Sequence, residues 1–380
     1  MELISLFEKL SGLLDSFLDM GIPGYDCVVW HKGREVFRRF GGYSSVEEKT
    51  PTNGNEQYFI YSCSKPITAA AGMLCLEKGL FSLTDPVSRY LPEFTEMMVR
   101  DGESVRPAKR PITVKDLFCM TGGFGYDAHS PMLELCRKEL PGRASTREMM
   151  RYLAREPLLF DPGDRWEYSF CHDVLVAVIE EAAGTRFGSF VRENIFDPLD
   201  MDSTSYMMPS DSGRIAEQYL FEPETGKRIN FGKHIMDFAD FGPEYESGGA
   251  GCISTAMDCI RFLEAIRDGE RILKRGSVRQ MTSNAITPEQ ARTYWMPGYG
   301  YGLGVKCSVG TPGCEDYGWG GMAGALMSVD PDRELSMLYL QHVLFAPNNA
   351  ERYMIYPLIL EELGLSDTGS KTEGKENFFV

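Results

Sequence analysis

No stretch of the 380 residues runs to about 18 consecutive apolar positions, the length a membrane-spanning helix needs, so no such span is expected. Metal and redox motifs are missing as well. The ten cysteines are scattered and no two form Cys-x-x-Cys, which removes the usual zinc and thioredoxin-like arrangements. The five histidines include no His-Glu-x-x-His, and no serine stands in Gly-x-Ser-x-Gly. The chain therefore offers neither a zinc-protease helix nor the nucleophile elbow of an α/β-hydrolase. Positive charge is scarce, with 39 Lys and Arg against 55 Asp and Glu. A net charge of -16 repels nucleic acid and anionic membrane surfaces, so neither is expected as a partner.

What is present suits a globular protein with a substantial core, 43% hydrophobic and 25% charged. The opening "MELISLFEKLSGLLDSFLDMG" carries Glu8, Lys9 and Asp15 inside its apolar run and no small-residue cleavage site. Leu3, Leu6, Phe7, Leu10, Leu13, Leu14, Phe17 and Leu18 repeat at three and four, which predicts an amphipathic helix rather than an export signal. With no such signal, the cysteines are expected to be reduced, buried thiols and the protein cytoplasmic. "YDCVVWHKGREVFRRFGGYS" reads as a hairpin turned at Lys32-Gly33. Residues 62 to about 79 form an alanine-rich helix that tolerates Pro66 only in its first turn.

Thr113 with Asp116, Ser145 with Glu148, and Thr255 with Asp258 each fit a hydroxyl and a carboxylate that cap one helix start reciprocally. Further helices are expected over about 173–183 and 255–268, and strands return in "YGYGLGVKCSV", "GALMSVD" and "RELSMLYLQHV" before a closing helix. Strands at both ends around a helical block predict an α+β architecture. An antiparallel sheet from the two terminal segments (about 1–60 and 295–365) would be flanked by helices, with a mostly helical lobe (about 61–294) inserted. Residues 1–365 would then be one catalytic domain and 366–380 a loose polar tail.

Ser62-Cys63-Ser64-Lys65 is the only Ser-x-x-Lys in the chain. Average composition alone yields such a pair about once or twice in this length, so its weight depends on the motifs downstream of it. "PGDRWEYSF" places Tyr168 after a Pro-Gly turn and ahead of an apolar helix, and "YGWGGMAG" places Trp319-Gly320-Gly321 between late strands. In that order these motifs resemble the serine β-lactamase and penicillin-binding-protein-like hydrolases, in particular the class C branch that includes carboxylesterases and acyltransferases. The resemblance spans roughly residues 20 to 345.

It implies the β-lactamase/transpeptidase-like fold and acyl transfer through a covalent intermediate on Ser62, without metal or cofactor. Lys65, three residues on, can stand over the Ser62 hydroxyl. A free lysine is neutral in only about one molecule in several thousand at pH 7, so it needs a partner to act as a base. Tyr168 supplies one, since a phenol and an ammonium held together share a proton and titrate as a unit. The backbone N–H groups of Ser62 and Met322 would form the oxyanion hole. Phe170, Trp319, Gly320, Gly321 and Tyr61 are expected at the substrate.

Two departures from the family pattern bear on substrate. Phe170 stands where lactamases carry an amide-binding Asn, and Trp319 where they carry Lys or His. Both changes remove polar recognition and favour small-molecule esters with apolar acyl groups. The alternatives are a β-lactamase or D-amino-acid peptidase acting on an amide, and a member of the family that binds ligand without turnover. His31-Lys32-Gly33 imitates His-x-Gly but precedes the nucleophile on a hairpin turn, and Lys371-Thr372 lacks the required glycine. Tyr43 and Tyr61 also precede serines; for Tyr61 the alternative to lining the site as Ser62's neighbour is a core role. His172, close after Tyr168, is expected on the surface or at a helix cap.

Overall fold

The computed structural model describes residues 7–209, 212–235 and 239–366. Leu3, Leu6 and all but the first residue of the proposed tail lie outside this set. The N-terminal hairpin forms as β1 (Gly24–His31) and β2 (Arg34–Ser45), followed by the two-residue β3 (Thr50–Pro51). The late segments form β4 (Tyr299–Tyr301), β5 (Lys306–Ser308), β6 (Tyr317–Gly320), β7 (Leu326–Asp330) and β8 (Leu335–Gln341). Together they make one eight-stranded sheet in the order β4-β5-β6-β7-β8-β1-β2-β3, antiparallel throughout. The N- and C-terminal segments meet in the interior β1–β8 pair, in which Val28 faces Leu338.

Alternation along these strands divides the core between the two faces of the sheet. Cys27, Val29, Met337 and Tyr339 turn to one side, where they meet Leu10, Leu14 and Phe17 of α1 (Glu8–Asp19) and Ile355 and Ile359 of the closing helix (Ile355–Glu362). Val28, Leu338 and Leu340 turn to the other, toward the larger core shared with the helical region. That region contains α2 (Ser64–Glu77) and α3 (Cys171–Ala183), which pack on each other, while α4 (Ala256–Asp268) lies on β1 and β8. Every residue of α2 from Ser64 to Cys75 is buried. A helix enclosed on all sides has no solvent face to mark with charge, which accounts for its alanine-rich, weakly patterned sequence.

The caps form as expected in two of the three cases. Thr113 and Asp116 make a reciprocal box, as do Ser145 and Glu148. At Thr255 only half of it exists, because the Asp258 carboxylate turns away to accept from the Ser203 N–H and the Thr204 hydroxyl. The helix expected from 173 begins at Cys171 and ends at Gly184, and that expected from 255 begins at Ala256.

Candidate active site

The α2 helix starts later than the sequence suggests. Ser62 sits in a 3-10 turn, Tyr61–Cys63, and the α-helix proper opens at Ser64. Tyr61 enters this turn with φ +46°, a left-handed conformation that costs a non-glycine residue roughly 1 kcal/mol or more. Its side chain is buried at 1% exposure, and its hydroxyl donates to Gln218 Oε1 at 2.6 Å. That anchoring holds the strained residue in place and directs the ring into the core, so Tyr61 meets Gln218 rather than the open side of the site.

One turn further on, Lys65 is fully buried. Its Nζ lies 3.3 Å from Ser62 Oγ and donates to the Gly249 carbonyl at 2.8 Å. Tyr168 reaches the same serine from the other side, its hydroxyl in a short hydrogen bond with Ser62 Oγ. Lys65 Nζ also stands 4.3 Å from the centre of the Tyr168 ring. An alcohol, an amine and a phenol separated by up to 106 residues in sequence thus converge on one oxygen. Serine is the shared partner, so a proton leaving Oγ has two adjacent groups to receive it.

Around Tyr168 the walls are aromatic. Trp319 lies parallel to its ring at 6.0 Å, Tyr126 meets it edge-on at 5.0 Å, and Trp295 leans over it at 5.1 Å. Trp319 is only 2% exposed, whereas Trp295 is 43% exposed and presents the open aromatic face. Phe170 lies a layer deeper, 1% exposed and 4.9 Å from the Tyr126 ring. Three contributors are not evident from the sequence: Tyr126, Trp295 and Gly249. Tyr126 and Trp295 sit in loops without periodicity. Only the Ser247-Gly248-Gly249 run hints at a close backbone approach.

The edge of β6 completes the site. Cys63 Sγ approaches the Trp319 carbonyl at 3.5 Å, and Gly321 lies so near the turn that holds Ser62 that an added Cβ would come within 2.4 Å of the Ile60 carbonyl oxygen. Only glycine permits that approach. Beyond it Met322 is 43% exposed. Among the described residues, the backbone N–H groups of Ser62 and Met322 donate to no protein acceptor. For Ser62 this follows from its place in the first turn of a helix, where backbone donors have no intrahelical partner.

His172 departs from expectation. Instead of lying at the surface or capping a helix, it is fully buried on α3, and burial, reinforced by the nearby Lys65 charge, lowers its pKa to about 3. It is a neutral core residue. His31 and Lys32 fall at the β1–β2 turn, and Lys371-Thr372 lies outside the described residues.

A family model described as Beta-lactamase matches residues 7–356. Esterase EstB of Burkholderia gladioli is 28% identical over 90% of this chain and 91% of its own. The lovastatin esterase of Penicillium rubens is 27% identical over 80% and 79%. Among solved structures, EstCE1, described as a hydrolase with promiscuous acyltransferase activity, superposes with a TM-score of 0.79 at 26% identity, covering 95% of this chain and 99% of its own. Its relatives thus include esterases and acyltransferases, the architecture is the β-lactamase/transpeptidase-like fold, and the chain belongs to the β-lactamase family of serine hydrolases.

Proposed function

We propose that the protein cleaves small esters, and transfers their acyl groups to water or an alcohol, through an acyl-enzyme on Ser62. The observation that carries this reading is the convergence of the Lys65 amine and the Tyr168 phenol on Ser62 Oγ. As Oγ attacks the ester carbonyl, its proton passes to the Lys65/Tyr168 unit and the carbonyl electrons move to oxygen, where the Ser62 and Met322 N–H groups receive the charge. Collapse expels the alcohol, which takes back the proton. A second alcohol or water repeats the sequence in reverse.

Esters with apolar groups fit best. Where lactamases carry a polar amide side chain the site has buried Phe170, and the exposed surface beside Tyr168 is the Trp295 ring. The esterase relatives support an ester substrate. We also read residues up to about 365 as one catalytic unit. The ten free, buried cysteines favour a reducing compartment and hence the cytoplasm; among the described residues no helix is long and apolar enough to cross a membrane.

The test is to offer the protein an aryl acetate, a chromogenic cephalosporin and a fluorophosphonate, then weigh the intact chain. Ester turnover with one phosphonyl group on Ser62, abolished in Ser62→Ala, is the expected result. Cephalosporin turnover of equal or greater efficiency would overturn the substrate class. Absence of both labelling and turnover would point to a ligand-binding member.

A further inference from the structure

The Lys65 ammonium is buried among neutral partners. Its two acceptors are the Ser62 hydroxyl and the Gly249 carbonyl, and it faces the Tyr168 and Tyr126 rings at 4.3 and 5.3 Å. A cation removed from water needs a countercharge, or it surrenders its proton. No carboxylate among the described residues lies within ion-pair distance of Lys65. The acidic group that does face it is Asp173, on the first turn of α3 and itself fully buried.

Asp173 is held asymmetrically. Its Oδ1 accepts from the Tyr245 hydroxyl at 2.7 Å and the Ser247 hydroxyl at 2.6 Å, while Oδ2 makes no hydrogen bond of normal geometry and the carboxylate has only a weaker interaction with the Gly249 N–H. That second oxygen points across Gly249. A Cβ placed on that glycine would stand 2.9 Å from Asp173 Oδ2, 3.1 Å from the Tyr126 hydroxyl and 3.4 Å from Lys65 Nζ. The absence of a side chain at residue 249 is what lets carboxylate, phenol and ammonium gather over one peptide, whose own carbonyl takes the lysine's hydrogen bond.

We propose that Asp173 is a positioning residue for the Lys65/Tyr168 unit: it balances the buried ammonium through space, across Gly249, without binding it. A direct ion pair would claim the lysine's protons; a carboxylate held one glycine away supplies the charge and leaves the amine turned to Ser62. Asp173 takes no proton from substrate. The inference rests on the proposed roles of Lys65 and Tyr168.

The groups facing this pair come from several elements. Around Lys65 they are Ser62, Cys63, Tyr126, Tyr168 and the neutral His172; around Asp173 they are Tyr126, Cys171, Tyr206, Tyr245 and Ser247. None but Lys65 is cationic. Burial raises the Asp173 pKa, and the two hydroxyl donors, the Lys65 charge and the Gly249 amide work against that rise.

The test is the pH dependence of Ser62 labelling by a fluorophosphonate, compared between the native protein and Asp173→Asn. Taking away a neighbouring anion disfavours the ammonium and favours the phenolate, so both limbs of the labelling profile should move toward acid by about one pH unit or more. Tyr245→Phe, which removes one donor and leaves the packing, should shift them the same way by less, and it serves if Asp173→Asn fails to fold. Asp173→Glu should restore part of the native profile. Superimposable profiles would overturn the proposal, because a merely structural aspartate would change the yield of folded protein and not the limbs. Failure to label native Ser62 at all would instead overturn the functional reading beneath it.

Discussion

The protein holds two lysine sites with nearly the same parts, one with its lysine fully buried and one with its lysine partly exposed. At the far end of the sheet, Lys306 Nζ lies 4.0 Å from the Tyr299 ring centre and binds Asp316 Oδ2 directly at 2.7 Å, while Tyr299 and Ser328 also donate to that carboxylate, each at 2.5 Å. At the nucleophile, Lys65 has Tyr168, Ser62 and, at a distance, Asp173. The inventory of lysine, tyrosine, serine and aspartate is shared; the place of the carboxylate is not. In the first site the aspartate collects every donor, and although burial pushes its pKa up, Lys306 and the hydroxyls bring it below the ordinary range. In the second the aspartate is withheld, its pKa rises, and amine, phenol and alcohol turn to one another. A carboxylate in contact gathers the donors into a clamp; one set back leaves amine, phenol and alcohol facing one another.

The sharpest way to break the comparison is Tyr168→Phe, which removes the phenol and keeps the ring. Acylation should fall by about 10² to 10⁴-fold in kcat with KM changed by no more than a few-fold, read from steady-state hydrolysis of an aryl acetate. A loss below about threefold would mean that Lys65 accepts the proton unaided. Lys306→Met should do the reverse. Leaving Asp316 buried without its cation should cost about 3 to 5 kcal/mol in urea unfolding, while kcat per folded molecule stays at the native value.

Smaller effects sharpen the contrast. His342 is buried against the Glu217 carbonyl, and burial lowers its pKa to about 4. As pH falls below about 6.5 the unfolded chain takes up this proton and the folded protein does not, so the stability contributed by the neutral ring is lost as pH approaches 4. Unfolding free energies of the native protein and His342→Gln, measured at pH 7 and pH 4, should therefore draw together by about 2 to 3 kcal/mol. A constant difference would mean that the imidazole does not titrate on unfolding. Last, Trp295→Ala should raise KM for an aryl ester by about three- to tenfold and leave a short alkyl acetate nearly unchanged, which tests whether the exposed ring binds substrate.

Which of these parts can be read from sequence depends on how locally each is encoded. Ser62 and Lys65 are legible because three residues span one helical turn and Pro66 marks where that turn begins. Tyr168 and Trp319 become legible only through their order along the chain. The sheet follows from alternating strands at both ends, and most helix starts from their caps. Thr255 misleads, since its carboxylate partner finds better donors in Ser203 and Thr204, which no local pattern records. Asp173 is invisible, and Gly249 no more than hinted at by its glycine run, for a related reason: the contact between Gly249 and Lys65 joins positions 184 residues apart, and an aspartate early in a helix reads as an ordinary dipole-favoured residue. His172 comes after an aromatic-rich turn, and nothing in its neighbours announces that α2 will cover it.

The sheet joins beginnings to endings, because β1 pairs with β8, and β6, which carries Trp319, lies two strands further on, beyond β7. A growing polypeptide therefore exposes its nucleophile turn long before the strand that must flank it has been synthesised. Closing a loop of about three hundred residues is an entropic barrier met late in folding, which makes assembly of this topology slow compared with a helical bundle. By the same order, the turn that holds Ser62 meets the strand that carries Trp319 only after translation has passed residue 320.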